Sequence, residues 1–593
     1  MSAEAVQAAS EGHAGAADDE LRRLAAEYVG DLARRHPDTA TELGDHRFDD
    51  LLPDRSESAL ADERRSLDAF AGRVTGLDLA ALGAELRVDA ALLSGDVSRR
   101  LFEIEDLREH TWNPLLANPG QAIYMLLARD YAPLPERLAA VAGRLALVPD
   151  ALAVARDSLE LMPRVHLETA IAQFGGAIDL VTGEIDAALA RAAGGQAAGA
   201  GAAGPAVAAI EKARPAAVEA LTAHRDWLAA RLAEAAGREG SAGEGSAGEG
   251  SAGGGSAGGG SAGGAGGFAD PRLGADLFTR KLSLTLSAAA DSEAILARAE
   301  ADLERLTEEI TRVAAGLGGT PREVLGRLGA AAPDEATILA FCADALRAQA
   351  VFVSDHDLVT LYDDPVELIE MPEVNRGIAV AYCDPPGPLE ATPLPTFIAV
   401  APTPQDWPAE RVASFYREYN RHMVHNLMVH EAMPGHYLQL QHSRRFSGST
   451  ALRAALWSGS FVEGWAVYAE ELMVGHGYPG EDNPAALRMQ QLKMQLRMVI
   501  NAILDARVHA HGMTEAEAMA LMTGRGFQEE GEAAGKWRRA SLTSAQLSTY
   551  YVGYTEISDL SAELIAGGLS PRAVHDRMLA HGSPPVRLLR TLV

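Results

Sequence analysis

MVHEAMPGHYLQLQH, residues 428–442, decides how the C-terminal half of this chain is read. His430 followed at once by Glu431 opens the pattern H-E-x-x-H, in which two histidines one helical turn apart face one metal ion and the intervening Glu works on water. The second histidine belongs at 434, but that position is Pro, and the next histidine is His436. On a straight helix six residues turn through about 600°, which leaves His436 about 120° off the face of His430. Pro434 lacks an N–H and clashes with the preceding turn, at about 3 kcal/mol in a helix interior. Gly435 supplies the backbone freedom that a tight bend needs. The helix breaker therefore sits where two histidines need a distortion in order to meet, and a bent metal-binding helix is the favoured reading. The alternative is a helix that ends at Met433, with His430 in the core and His436 in a loop. His422 and His425, eight and five residues before His430, fit a shared ion no better.

A third ligand has to come from elsewhere. Residues 458–471, SGSFVEGWAVYAEE, read as a helix with Phe461, Trp465, Tyr468 and Leu472 along one stripe. Glu463 and Glu470 lie two turns apart on the other face, and carboxylates on an apolar, aromatic helix need partners if they are buried. A plainer role for Glu463 is open too, because Ser460 and Glu463 match the capping box S-x-x-E. Glu470, followed by Glu471, reads as solvated or as a support behind a ligand.

Composition narrows the partners. The chain has 593 residues and 47% hydrophobic content, enough for a large core. Its 82 acidic against 52 basic residues give a formal charge of −30, which argues against nucleic acid and anionic membranes. Two cysteines, Cys342 and Cys383, are too few for a disulfide framework or a cysteine-built zinc site. The N-terminus has no basic stretch leading into an apolar one, and no run of about 18 uncharged apolar residues occurs. A cytoplasmic protein with no membrane partner is the expectation; oligomeric state is not readable.

Along the chain, residues 1–20 are small, polar and acidic and are expected to be disordered. Residues 21–238 carry helical periodicity and form an N-terminal helical lobe. Residues 239–267 repeat Gly, Ser, Ala and Glu at period five, as in GSAGEGSAGEG (240–250), and read as a flexible, dispensable insertion. Residues 268–593 form the catalytic lobe. It is helical apart from three β-rich runs, DLVTLY (357–362), GIAVAYCDPPG (377–387) and PTFIAVAP (395–402), which predict a small sheet around 376–402 beside the His430 helix. The fold class is mainly α, a large helical body around a cleft with that sheet at the metal-site helix.

Four motifs in order, HEAMPGHYLQ (430–439), FVEGWAVYAEEL (461–472), QLSTYYVG (546–553) and HDRMLAHGSPP (575–585), resemble the bacterial domain-of-unknown-function family 885, itself similar in motif to helical zinc metallopeptidases. The resemblance runs from about residue 20 to the end, interrupted by the Gly-Ser-Ala tract. It implies a zinc ion (Zn2+) on His430, His436 and Glu463, catalysis by Glu431, and Tyr550 as the recurring Tyr before a Gly that donates to an oxyanion. Tyr551 and Tyr554 are alternatives in STYYVGY (548–554), and aromatic core packing is another reading of all three. Asp505 and His509, one helical turn apart, fit a pair that orients a ligand or touches substrate, and equally a structural hydrogen bond. Arg539, next to Arg538, is expected to bind a substrate carboxylate.

The function this implies is zinc-dependent hydrolysis of peptide bonds in small peptides, with Glu431 as general base. The rivals are a metal-dependent amidohydrolase acting on a small non-peptide amide and a catalytically silent binding protein of the same fold. A general base beside His430 counts against the silent binder.

Overall fold

The computed structural model describes residues 3–194, 200–245, 267–371, 381–403 and 407–593. Helices dominate, with one three-stranded sheet, as the sequence periodicity predicts. The chain divides into two compact units. The first takes residues up to 81, 96–273 and 386–394; the second takes 82–95, 274–385 and 395–593. Two short segments, 82–95 and 386–394, thus belong with the other half of the chain from the one their position in sequence suggests.

The first unit is built on the long helices Leu134–Ser158, Arg164–Asp179 and Ala200–Gly245. Leu134–Ser158 is long and apolar enough to cross a membrane by length and composition. Here Leu138, Val141, Leu145, Val148 and Leu152 are fully buried in the core of this unit. On the same helix, buried Arg144 donates to the carbonyls of Leu51 and Pro37 and to the hydroxyl of Thr41. Two expectations need correction. The first helix spans Ala3–Arg35, so the N-terminus is helical and not disordered from the third residue on; its many alanines carry the highest helix propensity of any residue. The helix Ala200–Gly245 likewise runs into the tract expected to be flexible, and residues 246–266 of that tract lie outside the described residues.

In the second unit six helices matter for function: α1 (Arg421–Glu431), α2 (His436–Arg445), α3 (Gly459–Gly475), α4 (Pro484–His511), α5 (Glu530–Leu542) and α6 (Leu547–Ala566). The sheet comprises β1 (Val366–Glu370), β2 (Ala381–Asp384) and β3 (Thr396–Val400), in the order β1-β3-β2. β1 runs parallel to β3 with Val366 opposite Thr396, and β2 runs antiparallel with Ala381 opposite Val400. Residues 357–362, expected as a strand, form none. Side chains take the backbone groups a ladder would use: the Asp576 carboxylate accepts from Thr360 N–H, His442 bonds Thr360 O, and His575 bonds Leu358 O. The strand at Val366–Glu370 was not foreseen, and residues 377–380 of the second run lie outside the described residues.

The question posed by Pro434 has a definite answer. The chain forms two helices joined by a tight break, not one bent helix. α1 ends at Glu431 and α2 starts at His436. Ala432 and Met433 both donate to Met428 O, and Gly435 donates to Val429 O at 2.9 Å. Pro434 O accepts from the indole N–H of fully buried Trp465 on α3 at 2.8 Å. The break is thus saturated with hydrogen bonds although buried. Gly435 lies so close to the end of α1 that a Cβ there would sit 1.9 Å from His430 O and 2.3 Å from Val429 O.

Two outcomes follow. Gly435→Ala must part the two helices, so it lowers stability by about 3 kcal/mol or more; thermal melting that matches wild type contradicts the close approach. Gly267 packs against Ala235, ten residues back from Gly245, or about 15 Å along a helix. Shortening 246–266 to about ten residues, a reach of roughly 33 Å, therefore leaves the fold intact. Loop closure changes by less than about 1 kcal/mol, so the melting temperature stays within about 2 °C, and a larger drop shows that the tract contributes to the fold.

Candidate metal centre

His430 ends α1 and His436 begins α2, and the break turns their rings to face each other at 4.8 Å between centroids, 85° between planes. Glu463 comes from α3. Its Oε2 lies 3.6 Å from His430 Nε2 and 3.5 Å from His436 Nε2. The three donor atoms lie within 4.8 Å of one another, and among the described residues this is the one group of three or more His, Cys, Asp or Glu with metal-ligand geometry. Tetrahedral zinc with bonds of about 2.0–2.1 Å sets its ligand atoms about 3.3–3.4 Å apart, so the donors stand close to what the ion demands. Three protein donors leave one position open, as a catalytic site requires.

Glu463 is not a capping residue. The N-cap of α3 is Ser458, whose hydroxyl accepts from Phe461 N–H, while Ser460 bonds Ser458. That frees Glu463 to face the histidines. Glu470, two turns along α3 and 1% exposed, accepts from His430 Nδ1 at 2.8 Å and from Asn426 Nδ2 at 2.7 Å. A carboxylate on the far nitrogen fixes the tautomer and leaves Nε2 to ligate. His425 is engaged elsewhere, with Tyr478 and Glu481, and His422 is not part of the cluster.

Glu431 is buried beside this group. Burial raises its pKa, against the pull of His430 and His436. Its carboxylate accepts the N–H of Cys383 on β2, so an edge strand of the sheet fixes the carboxylate next to the donors. Burial disfavours the His430 cation, but the Glu463 carboxylate at 3.6 Å and the hydrogen bond to Glu470 outweigh it and hold the imidazole well above its usual value. Burial likewise disfavours the Glu463 anion, yet the two imidazoles hold its carboxyl well below the usual range.

Tyr550 on α6 lies where the Glu463 charge acts on it and accepts from Arg539 Nη2 at 3.2 Å. Burial, then the Glu463 charge, raises its pKa, so the phenol keeps its proton. Gly464 and Gly553 make this meeting possible. A Cβ on Gly464 would lie 2.2 Å from Gly553 C, and one on Gly553 would lie 1.8 Å from Ser460 O. α3 and α6 thus cross backbone to backbone, next to Glu463 and one turn from Tyr550. Tyr551 and Tyr554 bond Asp302 and Glu471 instead.

Asp505 and His509 stand apart from the donors, in the shell that holds α6. Asp505 accepts from the N–H groups of Ala545 and Ser548 and from the Ser548 hydroxyl; His509 bonds the carbonyls of Ala540 and Thr543. The pair fastens the α5–α6 turn and so fixes Tyr550 from a distance, in place of a contact with ligand or substrate. Arg539 reaches the site through Tyr550, and Arg538 is exposed.

Sequence reasoning missed Lys536. It lies three residues before Arg539 on α5 and is 6% exposed. Burial, then Arg497 and Arg539, push its ammonium well below the ordinary value, while Glu532 and Glu463 pull the other way. The i, i+3 spacing to Arg539 was there to be read; its burial was not.

The fold has relatives of known structure. A candidate lipoprotein of unknown function from Shewanella oneidensis is 26% identical, with a TM-score of 0.77 over 96% of this chain and 99% of that one. A candidate lipoprotein from Colwellia psychrerythraea is 14% identical, with a TM-score of 0.75 over 97% and 98%, and shares the fold. A comparison with curated proteins returns no match. With residues 37–593 matching its family description, the chain belongs to the bacterial proteins of unknown function grouped as DUF885.

Proposed function

We propose that this protein is a zinc-dependent hydrolase that cleaves peptide bonds of small peptides. One observation carries the reading: two imidazoles and a carboxylate converge to within 4.8 Å, with a second, buried carboxylate, Glu431, fixed beside them. When bound by His430, His436 and Glu463, a zinc ion supplies a Lewis acid for the carbonyl and lowers the pKa of water.

The chain's own residues do the rest. Glu431 takes a proton from the attacking water and passes it to the departing amine; its raised pKa suits both halves of that task. Tyr550, kept protonated, donates to the oxyanion as it develops. Glu470 holds His430 in the ligating orientation. β2 is an edge strand of the sheet, and Cys383 ties it to Glu431, so an extended peptide laid along it brings its carbonyl toward the base by main-chain pairing.

The two solved relatives are described as candidate lipoproteins, whereas the N-terminal sequence led to a cytoplasmic expectation. Fractionation of cells expressing the full chain separates the two: recovery with membranes contradicts the cytoplasm.

Replacing Glu431 with Gln removes the base but no ligand, so turnover of a peptide library falls at least about 1000-fold while zinc content stays near one per chain. His430→Ala and His436→Ala each lose both zinc and activity. Zinc retained in both alanine variants defeats the assignment. Metal binding is also linked to protons, because His430 must be neutral to ligate and its pKa is raised. Apparent zinc affinity therefore climbs with pH, by about tenfold per unit while one proton is released. A chelator competition that is flat between about pH 6 and 8 contradicts that linkage.

A further inference from the structure

Beside Tyr550 one guanidinium, that of Arg539, has no acidic partner among the described residues. Lys493 on α4 pairs with Glu418 at 2.7 Å, and Arg497 pairs with Glu532. Arg539 bonds only neutral oxygens, Gln546 Oε1 at 2.9 Å and the Tyr550 hydroxyl at 3.2 Å. Lys536, 6% exposed, lies three residues before Arg539 on the same helix. Arg539 is half-buried with only neutral partners among the described residues, so it is the cation that a ligand's anion would complete. Glu463 does not complete it, since that carboxylate is claimed by the two imidazoles.

We infer that Lys536 and Arg539 form the subsite for the free C-terminal carboxylate of a peptide substrate, which makes the enzyme one that trims peptides from their C-terminal end. The inference rests on the peptide-hydrolase reading and deepens it. Distance sets the end preference. Arg539 Nη2 lies 3.2 Å from the Tyr550 hydroxyl, and the Glu463 charge acts on that phenol, so the guanidinium stands within about two peptide residues of a bond held at Glu463. Successive residues of a peptide are about 3.8 Å apart. A carboxylate received by Arg539 thus belongs to the first or second residue beyond the bond held at Glu463. The planar guanidinium suits a carboxylate bidentately, and the Lys536 side-chain nitrogen, three residues earlier on α5, is a further donor beside it.

The test uses two probes, N-acetyl-Phe-Ala with a free carboxylate and the same dipeptide as its C-terminal amide. Binding is measured by calorimetry on the zinc-loaded full-length Glu431→Gln protein, so turnover is not needed. The acid is expected to bind about 30-fold more tightly than the amide, and adding Lys536→Met or Arg539→Gln should cut that preference to about threefold or less. Arg539 is half-buried, so Arg539→Gln decides the matter should Lys536→Met fold poorly. Equal affinity for acid and amide, or a preference untouched in a folded variant, overturns the inference. Cleavage assays with the unmodified protein separate it from its foundation. Cleavage of acid and amide at equal rates keeps the hydrolase and removes the carboxylate subsite. An acid preference in binding with no cleavage of any peptide keeps the subsite and removes the hydrolase.

Discussion

The second unit depends on one half-buried contact, the Glu463 carboxylate held between two imidazoles from different helices. Each of the three groups is costly to bury alone. Together they share charge, and Glu470 and Asn426 extend the network to the far side of His430. The contact is accompanied by two close approaches of backbone, Gly435 against the end of α1 and Gly464 against Gly553, and by the Trp465 indole bonding Pro434 O. At both approaches a glycine lets main chains touch.

That economy explains why the motifs look as they do. The Pro-Gly pair is not a damaged H-E-x-x-H helix but a junction that ends one helix and starts another one break later. The Gly of VEGW and the Gly of YYVG are two halves of a single helix crossing. Through it Glu463 and Tyr550 become neighbours although 87 residues separate them in sequence. The sheet has a matching role, since Cys383 N–H fixes the Glu431 carboxylate. Base, donors and phenol are thereby held by rigid elements and not by loops, which is what positional accuracy at a reacting centre requires.

Much of this was legible in the sequence, and the misses have physical causes. Helical periodicity gave the mainly α class, and β-rich texture near 381–400 gave two of the three strands. DLVTLY has strand composition, but Asp576, His442 and His575 capture its backbone from afar, a tertiary override that local propensity cannot register. The N-terminal residues look disordered by composition, while their alanines favour helix. For the site, residue chemistry singled out His430, Glu431, His436, Glu463 and Arg539 as candidates, and the family resemblance pointed to Tyr550 among three tyrosines; the fold brings these side chains near one another. Asp505 and His509 were plausible by spacing alone, but their carboxylate and imidazole are spent on the α5–α6 turn. Lys536 escaped notice because a lysine is read as solvated until its burial is seen.

The central claim is that His430, His436 and Glu463 together hold the catalytic ion. X-ray absorption at the zinc edge of the purified protein addresses it without any assay of turnover. The account predicts a nearest shell of nitrogen and oxygen at about 2.0–2.1 Å, with the outer-shell pattern of two imidazoles and no sulfur, and loss of one imidazole contribution in His436→Ala. A sulfur neighbour at about 2.3 Å, or a spectrum unchanged by His436→Ala, would contradict it.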